Sequence, residues 1–186
     1  MNRRIFGYAS LAIALAVSAA PARADLFDFL PSFGTPSGTT APPRERVVYS
    51  GHEKPGTVVV SLSERRLYFV QPGGTAMKYG VGVGRPGFAW SGVKTIAMKK
   101  EWPDWTPPAA MLKRRPSLPR HMKGGVGNPL GARAMYLGGS DFRIHGSNEP
   151  DTIGQAVSSG CIRMTNADVT DLYSRVHVGT RVVVER

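Results

Sequence analysis

Cys161 is the chain's single cysteine, and His145 stands sixteen positions before it. A thiol and an imidazole brought together are the parts of an activated nucleophile: the ring takes the thiol proton, and the sulfur attacks an acyl carbon. Such attack also needs donors for the developing oxyanion. Ser158-Ser159-Gly160-Cys161 is a small polar turn whose glycine lets the backbone approach a bound group, so the Gly160 N–H is the expected donor. Other readings of a lone thiol stand beside this one. It is often a small buried hydrophobe, or it pairs with a second molecule. Zinc is a poor fit, because one Cys and four scattered His do not make a four-ligand set.

The elements that must position these groups are short strands. Thr57 to Leu62 is a β-branched run, Arg65 to Gln71 alternates, and Pro72-Gly73-Gly74-Thr75 turns the chain. Met77 to Val83, Val93 to Met98, Met135 to Leu137, Phe142 to His145 and Arg181 to Glu185 read as further strands. Alternation along Phe142 to His145 puts Phe142 and Ile144 on one side and Arg143 and His145 on the other, a face open to water or to substrate. One stretch has helical grammar. From Asn166 to Val176, Thr165 and Asp168 form a weak capping box, and Val169, Leu172, Tyr173 and Val176 share a stripe. The domain is therefore expected to be mainly β, with one late helix after the cysteine. Gly82-Val83-Gly84-Arg85-Pro86-Gly87 spells a dinucleotide fingerprint, but turn residues come next where a helix would have to start, so no nucleotide site is expected.

The N-terminus bounds where this chemistry takes place. Arg3 and Arg4, an apolar run from Ile5 to Ala20, and Ala22-Arg23-Ala24 have the form of an export signal over residues 1–24. The run is shorter than the ~20 residues of a spanning helix, so no membrane span is expected. Residues 25–55, rich in Pro, Gly, Ser and Thr, read as a flexible tether, and 56–186 as the catalytic domain. The formal charge is +11, and loss of Arg3, Arg4 and Arg23 with the signal leaves +8. So basic an exported domain fits an anionic partner such as the cell wall, not nucleic acid. The stretch from Glu101 to Arg133 holds six prolines, Trp102, Trp105 and a basic cluster of Lys113, Arg114, Arg115, Arg120 and Lys123. Its length points to a binding loop, with its aromatics as a cleft wall or as packing anchors.

Ile144-His145-Gly146-Ser147, twelve intervening residues, and Ser158-Ser159-Gly160-Cys161-Ile162-Arg163-Met164 with Asn166 and Asp168 closely resemble the L,D-transpeptidase (YkuD-type) catalytic domain of bacterial cell-wall enzymes. The resemblance runs from about Gly56 to Glu185. It implies a mixed β-sandwich-like fold, Cys161 as nucleophile, His145 as proton donor and acceptor, and a main-chain carbonyl of Gly146 or Ser147 orienting the ring. The expected substrate is the tetrapeptide stem of peptidoglycan, with another stem, an envelope-protein lysine or water as acceptor and no cofactor or metal. Hydrolysis of the same links, or wall binding with an inert cysteine, are the competing readings. Arg163, Arg143, Ser158, Ser159, Tyr136 and Trp105 are the candidate substrate-binding residues. Ser159 stands where the family often carries a second histidine. Location in the periplasm as a monomer completes the expectation.

Overall fold

The computed structural model describes residues 40–186. The expected export signal and the first part of the tether lie outside them. Eleven strands are present: β1 (Glu45–Val48), β2 (Val58–Ser61), β3 (Arg66–Gln71), β4 (Thr75–Gly80), β5 (Val83–Gly84), β6 (Gly92–Glu101), β7 (Arg133–Leu137), β8 (Arg143–His145), β9 (Ala156–Ser158), β10 (Ile162–Arg163) and β11 (Arg181–Glu185). Two helices, α1 (Ala109–Arg114) and α2 (Asn166–Arg175), and a 3-10 turn at Pro150–Thr152 complete the elements among the described residues. Nine strands form one curled mixed sheet in the order β1-β4-β3-β2-β11-β6-β7-β8-β10, and β5 pairs with β9 apart from it. The mainly-β expectation holds. Two details differ from it. A second, short helix occurs within the long loop, and Glu45–Val48, inside the stretch read as tether, is an edge strand paired antiparallel with β4.

Strand β6 lets the sheet turn. Its first half pairs with β11 and its second half with β7, with a bulge between Ile96 and Met98. An extra residue at such a point bends the strand and re-aims the residues beyond it. Around this bend, Ile96, Met135, Leu137, Ile144 and Ile162 face inward and are fully buried with Val58, Val60, Leu67 and Tyr79. Removing side chains of this size from water is worth roughly 1.5–3 kcal/mol each.

Helix α2 closes this core with Val169, Leu172 and Val176, spaced three and four apart. The Thr165 hydroxyl accepts the Asp168 N–H at 3.1 Å, so the helix starts where the capping pattern placed it. At its other end Lys99 Nζ donates to the Tyr173 and Val176 carbonyls at 2.7 and 2.6 Å. A cation there satisfies carbonyls without helical partners and suits the dipole. Asp171 on α2 accepts from Tyr79 of β4 at 2.6 Å and pairs with Arg44 at 3.4 Å, which fastens the segment before β1 to the domain.

Candidate active site

The site is built on the outward face of β6, β7, β8 and β10. Strands β8 and β10 run parallel with Ile144 opposite Ile162 and His145 opposite Arg163. Both isoleucines point into the core, so Arg143, His145 and Arg163 share the other face. Alternation one residue back puts Cys161 on it too, diagonal to His145 at roughly 8 Å between Cα atoms from strand spacing and rise. Two side chains reaching toward each other span that distance. Tyr136 lies opposite Arg143, and Ala134 opposite His145. The Arg143 guanidinium sits 5.1 Å from the Tyr136 ring centroid.

His145 shares the face with Arg143 as its alternation required, but it is not open to water: it is only 4% exposed. Its Nδ1 lies 2.6 Å from the Gly146 carbonyl. A carbonyl only accepts, so Nδ1 carries the proton and the neutral ring presents its lone pair at Nε2. Burial lowers the pKa to about 3. The Gly146 carbonyl opposes that shift, the Arg163 and Arg143 charges add to it, and the Pro129 carbonyl opposes it. The resting imidazole is thus neutral.

Gly146 is held as closely as the ring it orients. Its N–H donates to the Arg133 carbonyl at 3.0 Å. A Cβ at Gly146 would collide with Asn166 Oδ1, and one at Gly131, where φ is +63°, would meet the same atom. That oxygen accepts the Ala132 N–H at 2.8 Å. Asn166, read from the sequence only as part of a motif, therefore ties the Gly131–Ala132 segment to the start of α2 and packs against Gly146 next to the histidine. Between Gly146 and Ser147, the ring selects Gly146. Ser147 is buried, and its hydroxyl instead accepts the Glu149 N–H at 2.9 Å.

The turn carrying Cys161 is tied from within. The Gly160 N–H donates to Ser158 Oγ at 3.1 Å, and that hydroxyl donates to the Cys161 carbonyl at 2.6 Å. Gly160 is thus not a free oxyanion donor, contrary to expectation. Ser158, buried to 2% exposure, shapes the turn. At Gly160, φ is +108°, and an added Cβ would lie 2.5 Å from Phe142 Cε1, so glycine is required twice over. Cys161 itself is a partly exposed free thiol.

Arginines surround this turn. Arg85 Nη1 donates to Ser159 Oγ at 3.3 Å, and its guanidinium lies 4.1 Å from the Phe88 ring centroid. Arg163 pairs with Glu149 at 3.0 Å. The Arg143 Nε is buried without a partner. Arg85 belongs to the glycine-rich spelling, where the Phe88 N–H donates to the Arg85 carbonyl in a tight turn and strand β6 comes next, so no helix opens there. Nothing in the spacing of Arg85 to Ser159 marked it for the site.

Trp105, one of the candidate substrate-binding residues, packs within the long loop. It is 8% exposed, and its backbone exchanges two 2.8 Å hydrogen bonds with Met122, so it anchors the long loop. Asp104 accepts the Gly124 N–H at 2.8 Å. Buried Asn128 donates to the Met122 and Lys123 carbonyls. The next residue is Pro129, whose carbonyl comes close enough to His145 to oppose the lowering of its pKa, so the end of the loop reaches the imidazole. Within the basic cluster, the Arg114 guanidinium lies 5.3 Å from the centroid of the Phe88 ring that Arg85 also covers. Lys113 and Arg114 are on α1, a helix with no buried residue.

A curled mixed sheet thus carries Cys161 and the carbonyl-held His145 on one face of adjacent parallel strands. The family model for the YkuD L,D-transpeptidase catalytic domain matches residues 55–184, and the chain belongs to that family. The probable L,D-transpeptidase ErfK/SrfK of Escherichia coli (strain K12) is 38% identical over 136 residues, 68% of this chain and 43% of that protein, so the chain spans less than half of that relative's length. A solved L,D-transpeptidase from Mycobacterium smegmatis superposes with a TM-score of 0.57 at 20% identity, over 70% of this chain and 58% of the other, which bears on the fold alone. A Brucella melitensis structure described as a probable carnitine operon oxidoreductase is 43% identical with a TM-score of 0.51, over 87% of this chain and 99% of that one. Its name differs in class from the others.

Proposed function

We propose that the chain is a peptidoglycan L,D-transpeptidase that uses Cys161 as nucleophile and His145 as its base and acid. The observation that carries this reading is the 2.6 Å bond from His145 Nδ1 to the Gly146 carbonyl, which leaves Nε2 as a base on the face that bears Cys161. Nε2 takes the thiol proton as sulfur bonds to the carbonyl carbon joining the stem's diamino acid to its terminal D-alanine. The C–N bond breaks, and Nε2 returns the proton to the leaving amine. An acceptor amine then attacks the thioester and passes its proton through Nε2 to the departing sulfur. A second stem as acceptor gives a 3→3 cross-link, and an envelope-protein lysine gives protein attachment. No metal or cofactor enters these steps.

The partnerless Arg143 Nε and the guanidinium of Arg163 supply charge for stem carboxylates on the same face. Tyr136, beneath Arg143, supplies a flat wall for the stem, and Arg85 extends the charge along the cysteine turn. Export through the residue 1–24 signal and action in the periplasm as a monomer belong to the same proposal. Among the described residues no helix is long and apolar enough to cross a membrane.

Incubating the protein with disaccharide-tetrapeptide and reading products by mass tests it. Cross-linked dimers lacking one D-alanine are expected, together with an acyl adduct on the protein that is absent from Cys161→Ala. Tripeptide products alone would assign hydrolysis instead. D-alanine release by Cys161→Ala would refute the nucleophile.

A further inference from the structure

Trp90 lies outside the cysteine motif, on the stretch between β5 and β6, yet it grips the peptide that precedes the thiol. Its indole Nε1 donates to the Gly160 carbonyl at 2.8 Å. Its ring stacks on Phe142 with centroids 4.7 Å apart and planes 5° from parallel. Phe142 in turn occupies the space that a side chain at residue 160 would need. The indole therefore has its plane set by one neighbour and its N–H committed to the other.

Peptide geometry carries this restraint to the next residue. Among the described residues no peptide bond is cis, and in a trans peptide the C=O and the N–H of the next residue point in opposite directions. Fixing the Gly160 carbonyl therefore fixes the Cys161 N–H, which is aimed away from Trp90. Several other polar groups of the turn are taken. The Gly160 N–H is held by Ser158 Oγ, and the Cys161 carbonyl accepts from the same hydroxyl. From the opposite side the Arg85 N–H donates to the Ser158 carbonyl at 3.1 Å. Among the described residues the Cys161 N–H has no partner within the protein. A glycine at position 160 makes this peptide easy to rotate, because no Cβ resists the change in its dihedrals. A clamp on its carbonyl is the one restraint that acts directly on the plane.

We propose that Trp90 is a positioning residue: through the Gly160 carbonyl it aims the Cys161 N–H at the oxyanion formed when the thiol attacks an acyl carbon. This rests on the acyl-transfer reading above but not on which acyl donor is used. It assigns a role to a residue that acts through the Gly160 carbonyl.

The test separates reactions that form an oxyanion from one that does not. Acetylation of Cys161 by p-nitrophenyl acetate passes through a tetrahedral oxyanion, whereas alkylation by iodoacetamide is a displacement at saturated carbon and forms none. Two variants remove the indole N–H: Trp90→Phe, and benzothienylalanine at position 90, which keeps the bicyclic shape and the stack on Phe142. Both are expected to slow acetylation on the order of ten-fold, the scale for misaiming one oxyanion donor. Alkylation at the same pH should stay within about two-fold, since the thiol and His145 are untouched. Acetylation at the wild-type rate in the benzothienylalanine protein overturns the proposal. So does a parallel fall in both reactions, which would mean a general loosening of the turn. A wild-type protein that acetylates normally but releases no D-alanine refutes the peptidoglycan reading and leaves this one standing.

Discussion

The buried imidazole makes a stability prediction whose size is set by the site. An exposed histidine titrates near 6.5, and His145 is held at about 3. The unfolded chain therefore takes up this proton first as the pH falls. The contribution of the neutral ring is complete above about pH 6.5, shrinks as the pH drops below it, and is gone below about 3. At ~1.4 kcal/mol per pH unit, the 1.5 units between 6.5 and pH 5 amount to about 2 kcal/mol. His145→Gln removes the titration and leaves every other ionisable group in place, so the acid responses of Asp168 and Asp171 cancel in the comparison. Urea unfolding of both proteins at pH 8 and pH 5 reads the difference. The wild type should lose about 2 kcal/mol more than His145→Gln, or about 1 M in urea midpoint. Equal acid losses in the two proteins would show that the fold does not lower the imidazole pKa, and a smaller loss in the wild type would mean a ring held charged, so that the neutral thiol–imidazole pair would have to be abandoned for an ion pair.

Three further outcomes test other parts of the site and its surroundings. Because His145 is neutral well below pH 6, kcat/KM for D-alanine release should show no acidic limb near 6.5, and a limb there that disappears in a His145 variant would contradict the site as described. Gly146→Ala drives a methyl into Asn166 Oδ1 and should cost about 1–3 kcal/mol in urea unfolding while abolishing turnover, whereas Gly127→Ala, with no atom within 4 Å of the added methyl, should be near neutral. Replacing Lys113, Arg114, Arg115, Arg120 and Lys123 together with Gln should weaken co-sedimentation with purified cell wall and flatten its salt dependence, yet leave Cys161 acetylation intact. Unchanged sedimentation would mark the cluster as a solvated face.

The sequence is most readable where one local rule governs. Alternation and β-branching place β2, β3, β8 and β11 within a residue or two, and the pairing of Thr165 with Asp168 locates the start of α2, because each signal lies within a few residues. Strands β9 and β10 escape such rules because three and two residues are too short to show a period. They exist because β5 and β8 offer them partners. Strand β1 escapes for a different reason. Proline and charge around Glu45 read as tether, and what orders it is the exposed edge of β4 and the Arg44 pairing to α2, neither visible locally. In the site, alternation correctly puts Arg143 and His145 on one face but predicts that face to be wet. Local alternation does not register the distant groups that reach the ring, such as the Pro129 carbonyl, sixteen residues upstream at the end of a loop held by Asn128 and Trp105.

The burial of His145 bears on how the proposed reaction would run. A neutral His145 beside a thiol stores no charge, so attack and proton transfer to Nε2 have to occur together as an acyl carbon arrives, and the charged imidazolium exists only while an oxyanion stands opposite it. Burial, which makes the resting cation costly, then works in the same direction as catalysis, because it penalises charge separation in the empty site more than in one holding a compensating negative oxygen. The Gly146 carbonyl stabilises the imidazolium at its far nitrogen, and Arg143 and Arg163 oppose it. A substrate carboxylate that pairs with either arginine removes part of that opposition. Binding of an anionic acyl donor should therefore raise the basicity of His145, and a neutral ester should not. Following the His145 ring resonances by NMR as the pH is lowered, with and without an unreactive tetrapeptide amide bearing its carboxylates, checks this. The titration should move upward with the peptide and return when Arg143 is replaced by Gln. A titration indifferent to the peptide would mean that the arginines serve the fold and not the base.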